Sequence, residues 1–381
     1  MKTLINNAFI YSTEAESFIK GSLLFSDRII EIGDVSGGTD TEIDAHEALL
    51  IPGFVDVHTH GRAGYDFTNA DTDDLKNMAR SYLSVGTTSL FPTLASAPYE
   101  QLLSMSDKIN ALKGNTNGAE FLGIHLEGRY LNQNKRGAHA KSLLAPFDEQ
   151  ELEELVFRMR RPCHISSAFE LDGGFAFAEE AKELGATLGL AHTESNYDTA
   201  ITAYERFGIS FTHLFNAMPP LGHRESGAVA AGLTSGAYCE IICDGLHISP
   251  EMIKLAYRCL GNTRLSLITD SMMAAGCADG EYFIAGNPCT VKDGKALTGE
   301  GKLAGSTLDL KTALENLMRF CDITLETALR CATLTPAEQV GVDKEVGSID
   351  IGKRSDILMA RSTDGRINIE RVWVGGMAYD L

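Results

Sequence analysis

The chain has 381 residues, of which 44% are hydrophobic and 22% are charged, and this composition is typical of a globular protein with a large core. Its formal net charge of −19 argues against nucleic acid or an anionic membrane surface as a partner, but does not exclude a phosphorylated small molecule, which needs only a local pocket of Arg and His side chains. Met1–Asn7 shows no basic stretch followed by an apolar signal core, and no apolar run approaches the roughly 20 residues that span a bilayer, so we expect a cytoplasmic protein.

Short strands are predicted at both ends of the chain. Apolar runs bounded by polar and Gly-rich turns indicate strands at Thr3–Tyr11, Gly21–Phe25, Arg28–Gly33, Asp356–Ala360 and Glu370–Met377. Neither end holds enough strands to close a sheet by itself. We therefore predict one small β domain formed by residues 1–51 together with residues 345–381.

Between these ends, apolar runs alternate with segments of helical periodicity. The runs that read as buried strands are Phe54–His58, Thr87–Phe91, Phe121–Leu126, His164–Ala168, Ala186–Ala191, Ser210–Leu214, Glu240–Cys243 and Leu265–Thr269. The helical segments that follow most of them are Asp73–Leu83, Tyr99–Leu112, Glu151–Met159, Ala176–Leu184, Asn196–Phe207 and Pro250–Leu260. This alternation fits a closed barrel better than an open doubly wound sheet, and no glycine-rich dinucleotide fingerprint follows the first strand. The predicted fold class is α/β, a (β/α)8 TIM-type barrel over residues 52–344.

Residues of metal-binding types stand at the C-terminal ends of the predicted strands, where barrels of this type carry reactive side chains. The first strand ends in His58 and His60, whose i, i+2 spacing turns both imidazoles to the same side. The later strands end, in chain order, in Glu127, His192, His213 and Asp270. One such residue alone is more often a hydrogen-bonding or capping group, but together they predict one shared site at the rim of the barrel.

The ligand types select the kind of ion. Imidazole and carboxylate without thiolate suit Zn²⁺ or Fe²⁺ better than Mg²⁺ or copper. An ion with an open position activates water near neutral pH and polarises a carbonyl group. The eight cysteines contain no C-x-x-C pair, so we expect reduced and mostly buried thiols rather than a disulfide framework, and a cysteine zinc site is not favoured.

Several motifs resemble a known family. Leu50–Gly61 resembles the first-strand signature of the amidohydrolase superfamily, and Ala332–Ala337 and Gly347–Ile357 resemble its closing segment. The motifs that are similar to those of N-acetylglucosamine-6-phosphate deacetylases are His125–Gly128, Thr212–Pro219, Asp244–Ile248 and Leu303–Ser306. The resemblance covers essentially the whole chain. It implies hydrolysis of the acetamide of N-acetylglucosamine 6-phosphate to glucosamine 6-phosphate and acetate.

The resemblance also implies a metal site. Glu127, His192 and His213 match the family's metal ligands, and His58 and His60 match the additional ligands of members that hold a second ion. One or two divalent ions per subunit, zinc or iron, are therefore expected. The predicted fourth strand ends without a lysine for carbamylation, in His164–Ala168, as in the deacetylase branch, where Glu127 takes the bridging place.

Catalytic and substrate-binding residues follow by position. Asp270 matches the catalytic aspartate, which takes a proton from metal-activated water and delivers it to the departing amine. His139 is expected to stabilise the oxyanion, with a plain loop histidine as the alternative. The residues expected to bind the substrate and its phosphate are Asn216, Ala217, Arg224, His247 and Leu303. The family suggests that Arg224 reaches the site of a neighbouring subunit, so that the active unit is a homodimer.

Two departures from the family pattern and three rival functions stay open. Arg129 with Tyr130, and Arg62, replace residues usual in the family, and either arginine can alter the pocket. One rival is deacetylation of N-acetylgalactosamine 6-phosphate. A second is hydrolysis of a cyclic amide or an N-acyl amino acid, and the third is a non-catalytic metal-binding or scaffolding protein. The sequence does not separate zinc from iron, or gluco from galacto stereochemistry.

Overall fold

Two large sheets organise the structure, a computed structural model that describes residues 1–35, 38–160 and 162–379. The strands are β1 (Thr3–Ser12), β2 (Ser17–Phe25), β3 (Ile29–Gly33), β4 (Thr41–Asp44), β5 (Leu49–Pro52), β6 (Phe54–Thr59), β7 (Gly61–Arg62), β8 (Tyr65–Asp66), β9 (Thr87–Ala95), β10 (Glu120–Phe121), β11 (Ile124–Glu127), β12 (Cys163–Ser167), β13 (Thr187–Leu190), β14 (Ser210–Phe211), β15 (Cys239–Ile242), β16 (Leu265–Ile268), β17 (Gly280–Ile284), β18 (Asn287–Lys292), β19 (Lys295–Thr298), β20 (Ile357–Thr363), β21 (Arg366–Val374) and β22 (Met377–Tyr379). The α-helices are α1 (Thr72–Leu83), α2 (Tyr99–Leu112), α3 (Glu149–Met159), α4 (Gly174–Glu183), α5 (Tyr197–Phe207), α6 (Gly227–Thr234), α7 (Pro250–Leu260), α8 (Leu310–Cys321), α9 (Leu325–Ala328) and α10 (Leu334–Gln339).

The first large sheet is a parallel barrel. Its order is β6, β9, β10 with β11, then β12 to β16. Both β10 and β11 pair with β9, so they are two pieces of one barrel strand. The first and last strands meet at the rim, where the Asp270 N–H donates to the His58 carbonyl at 2.9 Å and the His60 N–H donates to the Ser271 carbonyl at 2.8 Å. The predicted (β/α)8 barrel is confirmed.

Most predicted barrel elements occur at or near their predicted positions. The helices α2 (Tyr99–Leu112) and α7 (Pro250–Leu260) have the predicted limits. The predicted strand at 210–214 is shorter, because β14 ends at Phe211 and the chain turns at His213, whose φ is +33°. The sequence analysis did not predict α6, α8 or the strands β17 to β19.

The second large sheet is built from both chain ends. Its order is β22, β21, β20, β5, β1, β2 and β3, with β4 also paired to β1. The N-terminal β5 lies antiparallel to the C-terminal β20, which confirms that the two ends combine. The predicted limits of this domain, 1–51 and 345–381, stay a prediction, since β5 runs almost directly into β6 and residues 380 and 381 lie outside the described part.

A small three-stranded sheet follows the last barrel strand. The antiparallel strands β17, β18 and β19 enclose an apolar core that includes Met272, Ile284 and Ala304. Because Met272 comes two residues after Asp270, this core places the sheet beside the barrel rim. Ile284 of this sheet lines the central cavity together with Leu303.

Polar groups fill much of the barrel interior. His125 and His164 are fully buried, and His125 Nε2 lies 2.8 Å from Ser166 Oγ. Asp56 accepts a hydrogen bond from Thr269 Oγ1 at 2.7 Å, and burial raises the pKa of Asp56 to about 7. The apolar core instead lies between the strands and the surrounding helices.

Two further observations concern membrane spans and thiols. None of the helices in the described residues is both long enough and apolar enough to cross a membrane. Six of the eight cysteines are buried, whereas Cys259 and Cys277 are exposed. The expectation of mostly buried thiols is therefore met.

The small β domain depends on the packing of Trp373, the only tryptophan of the chain. Its side chain is 1% exposed and meets Phe25 edge to face, with ring centroids 5.9 Å apart. We expect Trp373→Ala to lower the free energy of unfolding by about 3–5 kcal/mol, the usual cost of a large cavity. Urea denaturation followed by circular dichroism measures it. Met377→Ala, at an exposed site of the same sheet, should change it by less than about 0.5 kcal/mol, and equal losses would contradict the prediction.

Candidate metal centre and active site

The residues predicted at the strand ends meet at one rim of the barrel. Glu127 is the last residue of β11, whereas His192, His213 and Asp270 each stand two residues beyond the end of their strands. These three residues have φ values of +45°, +33° and +46°, a left-handed conformation that residues other than glycine rarely adopt. Such backbone strain is typical of functional sites, where the surrounding structure enforces a required geometry.

The carboxylate of Glu127 is the centre of the cluster. The imidazole nitrogens around it are His213 Nε2 at 2.8 Å and His192 Nε2 at 3.2 Å from Oε1, and His60 Nε2 at 3.0 Å, His58 Nε2 at 3.4 Å and His139 Nε2 at 3.6 Å from Oε2. All six side chains are buried. Asp270 Oδ1 joins the cluster at 3.4 Å from His60 Nε2 and 3.7 Å from His58 Nε2.

The donor set fits one or two cations. His58 Nε2 is buried without a hydrogen-bond partner among the described residues, and the Nε2 atoms of His192 and His213 face each other at 3.2 Å. Two groups of three residues have ligand atoms close enough to share an ion, and they are His58, His60 and Glu127, and Glu127, His139 and His192. Both contain Glu127, so a bridging carboxylate between two ions is compatible with the geometry. Imidazole with carboxylate suits zinc or iron.

Contacts on the far side of two of the rings, His58 and His192, fix their orientation. His192 Nδ1 lies 2.7 Å from the Lys135 carbonyl, and His58 Nδ1 lies 3.0 Å from the Glu240 carboxylate. Because an imidazole that donates through one nitrogen presents a lone pair at the other, both rings are arranged to offer Nε2 to the centre. Outer contacts of this kind are typical of metal-binding histidines.

The pKa shifts show that the centre requires positive charge. Burial alone would lower the pKa of His58, His60 and His213, but the Glu127 carboxylate outweighs it and holds all three above their usual value. Burial would likewise raise the pKa of Glu127, but the imidazoles, His58 foremost, hold it well below its usual range. For His139 burial dominates and lowers the pKa to about 4. Without an ion, protonated imidazoles compensate the charge of the Glu127 carboxylate. A bound cation would supply this positive charge instead.

A cavity of about 170 Å³ opens over the cluster. The predicted catalytic and substrate residues that line it are Asp270, His139, Asn216, Ala217, His247 and Leu303. The ring of His247 is fixed by Asp244, whose Oδ2 lies 2.7 Å from its Nδ1. The residues at the strand ends and the residues of the loops that follow them thus line the same cavity.

Arg224 and the two unusual arginines lie outside this lining. Arg224 is exposed in the loop before α6 and is not among the residues that line the cavity of its own chain. Arg62 lies over the Tyr82 ring at 5.7 Å. Arg129 pairs with Glu151 at 2.8 Å. Neither departure from the family pattern therefore contributes a side chain to the cavity wall.

Sequence reasoning missed two contributors to the site. Glu240 lies within a predicted apolar strand, and nothing in its neighbourhood in the sequence connects it to His58. The strands β17 to β19 had an available signal, since Asp293 and Gly294 separate two short alternating runs, a pattern typical of a β-hairpin.

Comparison with known proteins agrees with this geometry. The model of the amidohydrolase family matches residues 49–378. Over 330 residues the chain is 33% identical to an N-acetylglucosamine-6-phosphate deacetylase of Vibrio furnissii, covering 86% of this chain and 82% of the relative. Over 340 residues it is 32% identical to an N-acetylgalactosamine-6-phosphate deacetylase of Escherichia coli O157:H7, covering 88% of each.

A solved structure is similar over nearly the whole chain. It is a mutant of N-acetyl-D-glucosamine-6-phosphate deacetylase from Mycobacterium smegmatis in complex with N-acetyl-D-glucosamine 6-phosphate. The TM-score is 0.88 with 28% sequence identity, and the match covers 99% of this chain and 98% of that one.

Because Glu127 belongs to both candidate ligand groups, its replacement tests whether a bound metal ion stabilises the folded protein. Zn²⁺ added to chelator-treated protein at 100 times its dissociation constant should raise the free energy of unfolding by about 2.7 kcal/mol for each ion bound, because the ligands come together only in the folded state. Glu127→Gln should abolish this gain, since it removes the charge common to both ligand groups. Thermal denaturation with and without the ion measures it.

His46→Asn is the matched control, because His46 is an exposed histidine of the small β domain and should leave the gain intact. A full gain in Glu127→Gln would show that the stabilising ion binds elsewhere.

Proposed function

The chain belongs to the amidohydrolase family, and on that premise we propose that it hydrolyses the acetamide of N-acetylglucosamine 6-phosphate to glucosamine 6-phosphate and acetate. The observation that carries this proposal is the buried cluster around Glu127, which opens with Asp270 into a cavity lined by polar groups. Relatives named for this reaction, at about one third identity over most of the chain, support it.

We assign Glu127, His192 and His213 to one divalent ion, and His58 and His60 with Glu127 to a second, each zinc or iron. The buried and unpartnered His58 Nε2 supports the second assignment. When bound, such ions activate a water molecule and polarise the carbonyl of the acetamide.

Asp270 is the proposed general base and acid. Its side chain lines the cavity, and its Oδ1 lies 3.4 Å from His60 Nε2, beside the groups that hold the ion. There the carboxylate accepts a proton from the attacking water and then delivers it to the amine nitrogen. The amine is a poor leaving group unless it is protonated, so one residue serves both steps.

His139 is the proposed oxyanion donor. The Ser96 backbone N–H donates to His139 Nδ1 at 3.4 Å, so this nitrogen is an acceptor and the neutral ring carries its proton on Nε2. A ring in this tautomer donates a hydrogen bond and does not bind a metal through Nε2. This favours stabilisation of the oxyanion over the ligand role that distances alone permit.

The phosphate is proposed to bind beside Asn216 and Ala217. His247, held by Asp244, and the exposed Arg224 complete the set of donors, while Leu303 contributes an apolar wall. Because Arg224 lies outside the cavity lining of its own chain, we propose that it serves the partner subunit of a homodimer. Leu221, three residues before Arg224, is 40% exposed and is proposed to take part in that contact.

Replacing Asp270 tests the reaction. We expect Asp270→Asn to lower kcat for acetate release from N-acetylglucosamine 6-phosphate by about 10²–10⁴-fold, the usual contribution of a positioned acid–base group. Its metal content should stay at the wild-type level, because Asp270 is not among the proposed ligands. Acetate release and elemental analysis give the two measurements.

The substrate panel for the wild type separates the rivals. It contains the galacto epimer, N-acetylglucosamine without phosphate, a dihydropyrimidine and an N-acyl amino acid. Preference for the galacto epimer would change the assigned sugar, since a relative of similar identity carries that name. Turnover of the cyclic amide or acyl amino acid alone would contradict the deacetylase assignment. Full activity of Asp270→Asn would contradict the mechanism.

Mixed dimers test the role of Arg224. Arg224→Ala should raise KM for the phosphorylated substrate by about 10–100-fold, through loss of a charge-assisted hydrogen bond. A dimer of one Arg224→Ala chain and one Asp270→Asn chain, isolated through two affinity tags, should recover about half of wild-type activity, because one of its two sites is complete. No recovery above the single variants would place Arg224 in its own subunit.

A further inference from the structure

Glu240 joins three separate elements inside the barrel. It lies in β15 (Cys239–Ile242) and is fully buried. Its Oε2 atom lies 3.0 Å from His58 Nδ1 and accepts the backbone N–H of His213 at 3.3 Å. Its Oε1 atom accepts a hydrogen bond from Gln339 Nε2 of α10 at 2.7 Å. One carboxylate therefore contacts the barrel strand of His58, the turn that carries His213 and a helix outside the barrel.

The fold itself does not require a carboxylate here. Moving a carboxylate from water into a protein interior costs several kcal/mol, and replacing a buried ion pair by apolar residues is often neutral or stabilising. The strand neighbours Cys239 and Ile241 are fully buried and apolar, but they face the other side of the sheet, so the surroundings of Glu240 are set by the polar groups that its carboxylate contacts. A function for Glu240 is therefore to be sought in the contact with His58.

That contact determines which nitrogen of His58 faces the site. Oε2 of Glu240 already accepts the His213 N–H, so it is an acceptor towards His58 Nδ1 as well. With a cation at the centre, His58 would keep its proton on Nδ1 and offer the lone pair of Nε2 to the ion. This Nε2 is the buried atom without a hydrogen-bond partner, 3.4 Å from Glu127 Oε2.

We propose that Glu240 is a positioning residue that holds His58 as a ligand and thereby sets the affinity of the ion bound by His58, His60 and Glu127. The inference rests on the metal centre of the proposed function. Glu240 is thus a residue outside the ligand set that determines the affinity of the second ion.

The effect falls mainly on one of the two ions. His192 is oriented by the Lys135 carbonyl, which does not contact Glu240. The His213 N–H loses the carboxylate as an acceptor at 3.3 Å, but the backbone bond from the Leu214 N–H to the Glu240 carbonyl at 2.8 Å remains after a side-chain substitution. Loss of the carboxylate therefore frees the ring of His58, whereas a backbone bond still holds the turn that carries His213.

Two substitutions of Glu240 distinguish the effect of its hydrogen bond to His58 from the effect of its negative charge. Glu240→Ala removes the contact with His58. Glu240→Gln keeps it, because the amide oxygen accepts from His58 Nδ1 and the amide N–H donates to Gln339 Oε1 once the Gln339 amide, whose Nε2 now faces Glu240, turns over; Gln339 Oε1 has no partner among the described residues. Ser266→Ala is the control, since Ser266 is the register partner of Glu240 on β16 and its buried Oγ has no partner in the described chain.

The experiment measures zinc bound per chain by elemental analysis across a chelator titration of the full-length protein. We expect two ions in the wild type. The dissociation constant of one ion should rise about 100-fold in Glu240→Ala and about 10-fold in Glu240→Gln, the range found when outer-shell partners are removed. The other ion should be affected much less, and both ions in Ser266→Ala should be unchanged. Nitrogen-15 NMR of zinc-loaded protein should show His58 protonated at Nδ1 in the wild type and in Glu240→Gln.

Other outcomes overturn the inference. Wild-type affinity for both ions in both variants would show that Glu240 does not position His58, and equal weakening of both ions would show a general structural role. If Glu240→Ala does not fold, Glu240→Gln decides by the same criterion. A wild type that binds one ion and still releases acetate would refute this inference and the assignment of a second ion, but not the proposed reaction, whereas a wild type that binds no ion would refute the proposed reaction as well.

Discussion

The Glu127 carboxylate faces five imidazoles inside the protein, and the rest of the architecture follows from the need to keep them there. A buried carboxylate is tolerated only when it is neutralised by partners or an ion. Those imidazoles come from three strand ends and one loop, and Glu127 comes from a fourth strand end, so no single element of the chain can assemble them. Closure of the barrel, by the backbone bond between Asp270 and His58 at the rim, is therefore a condition for the site and not only for the fold.

Positioning these groups costs stability in the barrel itself. Three site residues adopt left-handed backbone conformations, and the interior below the rim holds polar side chains such as Asp56, His125 and Ser166 in place of close-packed apolar ones. The compensating apolar contacts lie elsewhere, in the layer between strands and helices and in the sheet formed by both chain ends. Stability and chemistry are thus separated between the outer layers and the rim.

The fold and most of the candidate site could be predicted because they follow local rules. Strand periodicity gave the barrel, and residues after successive parallel strands necessarily share one rim, so His58, His192 and His213 were found from position alone. Glu240 could not be found in this way, because its role depends on a contact with a residue 182 positions away that no spacing reveals. The strand at Ser210–Leu214 was predicted, but its early end at Phe211 was not, since the turn at His213 is imposed by the site against the preference of the sequence.

The net charge of −19 constrains how a phosphorylated substrate is held. At physiological ionic strength charges are screened over about 8 Å, so the acidic surface acts mainly on the rate of encounter, and the bound phosphate responds to groups in contact with it. The residues proposed to bind the phosphate inside the cavity are Asn216, Ala217 and His247. They provide oriented hydrogen-bond donors but include no lysine or arginine. A fixed cation strengthens the binding of a dianion through charge-assisted hydrogen bonds. Arg224 is exposed and outside the cavity of its own chain, so its proposed role as that cation and the proposed dimer depend on each other.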